Sequence, residues 1–199
     1  MTESRPAAPV RPARTTTYPG VFGLILVNLG FFLLDLILDL HGLYLDLGRP
    51  GWHQLTTSQF LHGDWVHLSV NLFFLYIFGR LVEEEEGTLD LVLTYLICGF
   101  GANVFSLLFL PTDGISLGAS GAVFGLFVTS VLIKLRWHWR NLLEVLILGQ
   151  FVIMQVWTEL AELGDQGTTN RVAHLGGAVT GAVLVLALRR ARAKNTGLR

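Results

Sequence analysis

Six long apolar stretches account for most of this 199-residue chain. A helix needs about 20 mostly apolar residues to cross the hydrocarbon core of a bilayer. The sequence therefore predicts an all-α fold, a polytopic membrane bundle of six transmembrane helices joined by short loops that carry turn-forming residues. The predicted spans are Gly20 to Leu40, Trp65 to Leu81, Leu89 to Leu110, Gly118 to Leu135, Leu142 to Leu160 and Val172 to Leu188.

Charged residues are fewer than in a soluble protein. They make up 15% of the chain, whereas about 25% is usual in soluble domains. This scarcity, together with a formal net charge of -1, argues against a disordered chain and against a nucleic-acid partner. The single cysteine, Cys98, excludes an intramolecular disulfide and a cysteine-cluster metal site, and its position inside the third span predicts a packing role.

The basic residues predict the orientation of the bundle. Under the six-span arrangement, Arg49 and Arg171 fall on one side, which leaves 12 of the 14 Lys and Arg residues on the other. Cytoplasmic loops are enriched in Lys and Arg, so both termini are predicted to be cytoplasmic. Residues 1–19 are predicted to form a disordered basic tail, 20–188 the membrane domain and 189–199 a basic cytoplasmic tail. An organelle import segment is the alternative for the first tail.

Polar side chains inside apolar spans are functional candidates, because an unpartnered polar group in a bilayer is costly. His67 and Asn71 lie four residues apart at the start of the second span, so they share one helix face, which Phe74 and Phe78 continue. Two hydrogen-bond donors aimed at one point would stabilise an anion. The alternative is that both side chains bond to a neighbouring helix, as polar residues often do in membranes.

Ser120 begins the fourth span within Gly118-Ala119-Ser120-Gly121. A backbone N–H at a helix start has no partner within the helix, so it can donate to an oxyanion while the hydroxyl faces a cavity. The alternative is a helix-capping serine above a packing stripe formed by Gly121 and Gly125.

His174 lies above a smooth face of the sixth span. Gly177, Ala178 and Gly181 follow it at helical spacing, so a second helix could press closely against this face. That helix would then lie within reach of the imidazole. The alternative is a histidine in a loop or among lipid headgroups.

Two acidic groups receive no chemical role. Asp35 and Asp39, near the outer end of the first span, are predicted to lie at the membrane interface or to bond polar groups of the first outer loop. The acidic run Glu83-Glu84-Glu85-Glu86 is predicted to form a solvated cytoplasmic turn.

The outer halves of spans two, four and six together supply hydrogen-bond donors, a candidate nucleophile and a candidate base. Peptide hydrolysis by a serine needs a base within hydrogen-bond reach of the hydroxyl and fixed donors at the developing oxyanion. A Ser-His pair without a third carboxylate would be a simplified form of the catalytic triad.

Four motifs occur in order along the chain. They are Phe60 to His67 with Asn71, Phe78-Gly79 with Glu83 and Gly87, Gly118 to Gly121, and Ala173-His174 with Gly177 and Gly181. Through these motifs the sequence resembles the rhomboid family of intramembrane serine proteases, from about Gly20 to Leu188.

The resemblance implies that Ser120 is the nucleophile, that His174 is the general base, and that His67, Asn71 and the Ser120 amide form the oxyanion hole. It also implies supporting roles for His62, Gly118, Gly121, Phe124, Gly177 and Gly181. No metal and no cofactor are expected. The expected partners are the lipid bilayer and single-span membrane proteins, cleaved near the outer end of their helix. Six spans with cytoplasmic ends are the minimal architecture of bacterial members, which predicts a bacterial plasma membrane.

Two segments depart from the family pattern. The first outer loop contains Gly51-Trp52-His53-Gln54, where some bacterial members have a Trp-Arg pair. Phe124 stands where family members often have a tyrosine that stacks against the base, so the ring is kept and the hydroxyl is lost.

Two other functions compete with the protease. One is a non-catalytic, rhomboid-like protein that binds membrane segments, which is expected to lack the serine or the histidine that this chain retains. The other is a zinc-dependent membrane hydrolase with His62, His67 and His174 as ligands. Acidic residues that could complete such a zinc site are scarce near span six.

Overall fold

The computed structural model describes residues 17–134 and 170–197, together with residues 150 and 154. The helices are α1 (Pro19–Leu38), α2 (Gln54–Thr57), α3 (Trp65–Glu86), α4 (Thr88–Phe109), α5 (Ser120–Lys134) and α6 (Arg171–Gly197). Short 3-10 turns cover His41–Leu43 and Ser58–Phe60. Two antiparallel strands of two residues each, β1 (Leu45–Asp46) and β2 (Ile115–Ser116), join the loop after α1, which is the predicted first outer loop, to the segment before α5.

The described part of the chain has four helices that are long and apolar enough to cross a membrane. They are α1, α3, α4 and the Arg171–Arg192 part of α6. The shorter apolar helix α5 corresponds to the fourth predicted span. The chain is therefore an all-α, polytopic membrane bundle, as predicted. The fifth predicted span lies almost wholly outside the described residues, as do residues 1–16 of the predicted first tail.

Several helix ends differ from the predicted ones. Helix α1 begins at Pro19, because proline suits a first helical position, where its missing N–H costs nothing. Helix α6 continues past Leu188 to Gly197, so most of the basic segment 189–199 is helical.

The prediction of a solvated turn at Glu83–Glu86 was wrong for Glu83, which is buried, and this run forms the last turn of α3; Glu84 and Glu85 are exposed, as predicted. The Glu83 carboxylate is buried and accepts hydrogen bonds from the backbone N–H groups of Gly20 at 2.8 Å and Val21 at 2.9 Å. It also accepts one from the Thr88 hydroxyl at 2.6 Å. The first N–H groups of a helix have no partner within it, and a carboxylate at that end is stabilised by the helix dipole. Glu83 therefore joins α1, α3 and α4.

Asp35 and Asp39 bond polar groups of the first outer loop, which confirms one of the two predicted roles. Asp35 accepts from the Leu40 backbone N–H at 2.7 Å and from the Tyr44 hydroxyl. Asp39 contacts the His41 imidazole. That hydrogen bond raises the pKa of His41 and lowers the pKa of Asp39.

Helix α5 lies in the interior of the bundle, where nine of its 15 residues are buried. It packs against α3, α4 and α6. A helix too short to cross the bilayer unaided is tolerated here, because protein rather than lipid surrounds its ends.

Glycines bring α5 and α6 into backbone contact. A Cβ on Gly177 would lie 1.9 Å from the Gly121 carbonyl oxygen, and a Cβ on Gly181 would lie 2.5 Å from that of Gly125. No larger residue fits at these crossings without moving a helix. The glycine stripe given as the alternative interpretation of span four therefore packs against the smooth face predicted on span six.

Helix α4 packs against the same two α5 glycines. A Cβ on Gly121 would meet the Ala102 side chain, and one on Gly125 would meet the Cys98 side chain, both at 2.3 Å. Cys98 is fully buried, so its predicted packing role is confirmed.

Candidate active site

The glycine contact brings Ser120 and His174 to the same end of the bundle. Ser120 directly precedes Gly121 at the start of α5, and His174 lies three residues before Gly177 in the first turns of α6. Both side chains line a cavity of about 710 Å³. The candidate nucleophile and base therefore share one cavity although they are 54 residues apart in the sequence.

The imidazole of His174 is held by stacking. Its ring lies over Phe124 with a centroid distance of 4.4 Å and an interplanar angle of 10°. Phe124 follows Ser120 by one helical turn, so one helix provides both the hydroxyl and the stacking surface. The ring alone supplies this contact, and the hydroxyl of a tyrosine is not needed for it.

His67 and Asn71 line the same cavity from α3. The Asp64 side chain caps this helix by accepting a hydrogen bond from the His67 backbone N–H at 2.8 Å, which fixes the turn that carries the imidazole. The Asn71 amide donates to the His67 carbonyl oxygen at 3.0 Å. An amide has two N–H hydrogens, so one remains for a group bound in the cavity.

Gly118 sets how closely His67 approaches the segment before Ser120. Its φ of +121° lies in the region that favours glycine. A Cβ there would lie 2.7 Å from Cε1 and 2.8 Å from Nε2 of His67. The imidazole thus packs directly against the backbone that leads to the Ser120 amide.

His62 supports this segment from outside the cavity. Its buried ring accepts a hydrogen bond at Nε2 from the Ala119 backbone N–H at 3.4 Å and contacts His67 edge to face, with centroids 5.1 Å apart. Burial, and to a lesser extent the neighbouring His67, lowers the pKa of His62 to about 4. His62 is therefore neutral at physiological pH and acts as a hydrogen-bond acceptor.

The geometry gives the zinc hypothesis no support. His62, His67 and His174 all lie in the described part of the chain, where no group of three or more His, Cys, Asp or Glu side chains could hold a metal ion. In addition, the Nε2 atom of His62 is already bonded to Ala119.

Below its polar rim the cavity is aromatic. Phe74 and Phe78 stack with centroids 5.9 Å apart, and Phe78 contacts Phe127 at 4.4 Å. The predicted stripe from His67 through Phe78 thus runs down one wall of the cavity. A bound peptide would place its backbone at the polar rim and apolar side chains against this floor.

Sequence reasoning missed Asn170 and Ser116, which also line the cavity. The Asn170 side chain caps α6 by accepting a hydrogen bond from the Ala173 N–H at 2.8 Å. An asparagine directly before an apolar helix is a common capping signal, so its position could have been found. No local signal identifies Ser116, because it reaches the site through the pairing of β2 with β1.

The Rhomboid domain family model matches residues 49–191, which is more than half of the chain. The chain belongs to the rhomboid family. This rhomboid is 53% identical over 179 residues to Rhomboid-like protein 11, chloroplastic, of Arabidopsis thaliana. The aligned region covers 83% of the chain and 64% of that relative. It is 31% identical over 158 residues to Rhomboid protease AarA of Providencia stuartii, covering 68% of the chain and 56% of that relative. The chain thus spans less than two thirds of the length of either relative.

The family and the apolar helices make this rhomboid an integral, multi-pass membrane protein. The similarity to a rhomboid protease supports protease or rhomboid-like function. The predicted bacterial plasma membrane gains no support from these relatives, since the relative with 53% identity is named as chloroplastic. The membrane that contains this rhomboid stays a prediction.

Proposed function

We propose that this rhomboid is an intramembrane serine endopeptidase with a Ser120-His174 dyad. The observation that carries the proposal is the shared cavity, in which a serine, a stacked histidine and two further donors meet at one end of a membrane bundle. Each of the four side chains comes from a helix fixed by capping or by glycine packing.

The first chemical step transfers the Ser120 hydroxyl proton to neutral His174 while Oγ attacks the scissile carbonyl carbon. The C–N bond then breaks, and His174 returns the proton to the leaving amine. Water, activated by the same imidazole, hydrolyses the acyl-enzyme and regenerates Ser120. Phe124 keeps the ring plane fixed through both proton transfers.

The oxyanion of each tetrahedral intermediate is stabilised by His67, Asn71 and the Ser120 amide. Donors fixed before the reaction stabilise the charge without reorganisation in the transition state. The Asp64 cap and Gly118 support this arrangement, because they fix His67 against the segment that carries the Ser120 amide.

The substrates are single-span membrane proteins, cut near the outer end of their helix. The cavity lies at the end of the bundle where α5 and α6 begin, which the charge distribution predicts to be the outer end. A carbonyl in an intact helix already accepts a hydrogen bond, so the scissile segment unwinds before it enters the cavity.

Cleavage of a co-expressed single-span substrate tests the proposal. Ser120→Ala and His174→Ala should each reduce cleavage by at least about 10³-fold, since each removes a reacting group. Ser130→Ala is the matched control, because this buried serine lies on the same helix and donates a hydrogen bond to the Phe127 carbonyl oxygen of that helix. Wild-type protein that binds the substrate without cutting it would instead support the non-catalytic membrane-segment binding protein.

A further inference from the structure

Asn170 holds the turn that carries His174. It directly precedes α6, and its Oδ1 atom accepts the Ala173 N–H at 2.8 Å. Its backbone carbonyl accepts the His174 N–H at 3.3 Å. One residue therefore fixes the first turn of α6 through both its side chain and its backbone.

The same side chain also reaches away from α6. Its Nδ2 atom donates to the Ser116 hydroxyl oxygen at 2.8 Å and to the Ser106 hydroxyl oxygen at 2.9 Å. Ser116 is buried in β2, four residues before Ser120, and Ser106 is buried in α4. A single amide thus links the His174 turn both to the segment that ends at Ser120 and to α4.

The bonding pattern permits only one orientation of this amide. The Ser106 hydroxyl donates its hydrogen to the Ala102 carbonyl at 3.1 Å, so its oxygen can only accept from Asn170. The Ala173 N–H needs an acceptor, so the atom of the Asn170 side chain that faces it must be the carbonyl oxygen Oδ1. Both N–H hydrogens and the carbonyl oxygen of the asparagine are therefore used, which an alanine, a serine or an aspartate could not reproduce.

We propose that Asn170 is a positioning residue that sets the separation of Ser120 and His174 through its bond to Ser116. This inference rests on the proposed protease function. The hydroxyl must lie within hydrogen-bond reach of the imidazole, and a misplacement of about 1 Å costs about 10²-fold in rate. Loss of the link to Ser116 therefore slows the chemical step, whereas loss of the link to Ser106 affects the stability of the bundle.

The test compares Asn170→Ala, Ser116→Ala and Ser106→Ala as full-length proteins in detergent. Active sites are counted by labelling Ser120 with a fluorophosphonate, and kcat per labelled site, KM and Tm are measured for all variants at the same pH. We expect kcat to fall about 10-fold in Ser116→Ala and about 10²-fold in Asn170→Ala, with KM changed less than about threefold. Ser106→Ala should lower Tm and keep kcat within about twofold.

The double variant Asn170→Ala/Ser116→Ala distinguishes positioning from a general loss of stability. Its kcat should equal that of Asn170→Ala alone, because Ser116 acts through the asparagine. If Asn170→Ala does not fold, Asn170→Asp replaces it, since an aspartate keeps the acceptor for Ala173 and loses both donated bonds.

Wild-type kcat per labelled site in both Asn170→Ala and Ser116→Ala, with only Tm reduced, would make Asn170 a helix cap and overturn the inference. In that case wild-type labelling and cleavage would still support the proposed function. A wild-type protein that neither reacts with the fluorophosphonate nor cleaves substrate would overturn both.

Discussion

At the scale of single residues, the site divides into groups that react and groups that hold them in place. In the proposed mechanism Ser120 and His174 exchange the proton, while Phe124, His62 and Gly118 fix the ring and the backbone around them. The residues proposed to react occur in short motifs, which is why the sequence alone predicts them. The role of Asn170 was missed because its partners come from a different helix and a strand.

Asn71 is expected to contribute to the rate without being essential. Asn71→Ala removes one oxyanion donor and leaves the nucleophile and the base in place. Such a loss costs about 10² to 10³ in rate in soluble serine proteases. The measurement is kcat per fluorophosphonate-labelled site, and an unchanged value would assign Asn71 to helix packing alone.

His62 is expected to link stability to pH. Its pKa is about 6.5 in an unfolded chain and about 4 in the folded protein, so between these values the unfolded chain binds a proton that the folded protein does not. The contribution of His62 to stability is therefore complete above about pH 6.5 and decreases as the pH falls toward 4.

Thermal unfolding in detergent from about pH 7 to about pH 5 measures this link. His62→Gln is the control, because glutamine offers an amide oxygen to the Ala119 N–H and binds no proton in this range. The wild-type Tm should fall more steeply with decreasing pH than the variant Tm. If the Tm of the wild type and the Tm of the variant decrease equally, groups other than His62 cause the loss of stability in acid.

At the scale of the helices, apolar length predicted where most spans lie, and polar contacts decided where they end. Helix α3 begins at Trp65 as predicted, because Asp64 provides a recognisable capping side chain. Its other end was misjudged because a run of four glutamates indicates solvent exposure by composition. The contact of Glu83 with the start of α1 is long-range, so no local pattern reveals it.

Glu83 is therefore expected to stabilise the bundle. Glu83→Gln removes the negative charge and one acceptor from a buried site, which should cost about 1–3 kcal/mol of the free energy of unfolding. Glu85→Gln, an exposed change on the same turn, should have almost no effect. Thermal unfolding in detergent compares the two, and equal Tm values would contradict a structural role for Glu83.

At the scale of the whole molecule, both ends of the described chain lie at one end of the bundle. The start of α1 is bound by Glu83, and Arg192 near the end of α6 bonds to Glu86 at 2.8 Å. The positive-inside rule predicts the same arrangement from the distribution of Lys and Arg. The helices of the bundle were predictable from hydropathy, whereas the β1–β2 pairing was not, because two-residue strands leave no periodic pattern.

Cysteine reporters test this orientation in intact cells. Thr17→Cys and Lys194→Cys should be protected from an impermeant thiol reagent, and Gly114→Cys should react. The native Cys98 is fully buried, so background labelling is low. A reactive Thr17→Cys reporter would contradict the predicted orientation.

The central claim is serine chemistry dependent on His174, and a covalent adduct tests it most directly. Purified protein is treated with a fluorophosphonate in excess chelator, and the peptides are analysed by mass spectrometry. Activation of the hydroxyl requires the imidazole and no metal, so the adduct should form on the peptide that contains Ser120 and be absent in His174→Ala. An adduct that forms equally without His174, or activity that is lost in chelator with no adduct at Ser120, would contradict the dyad.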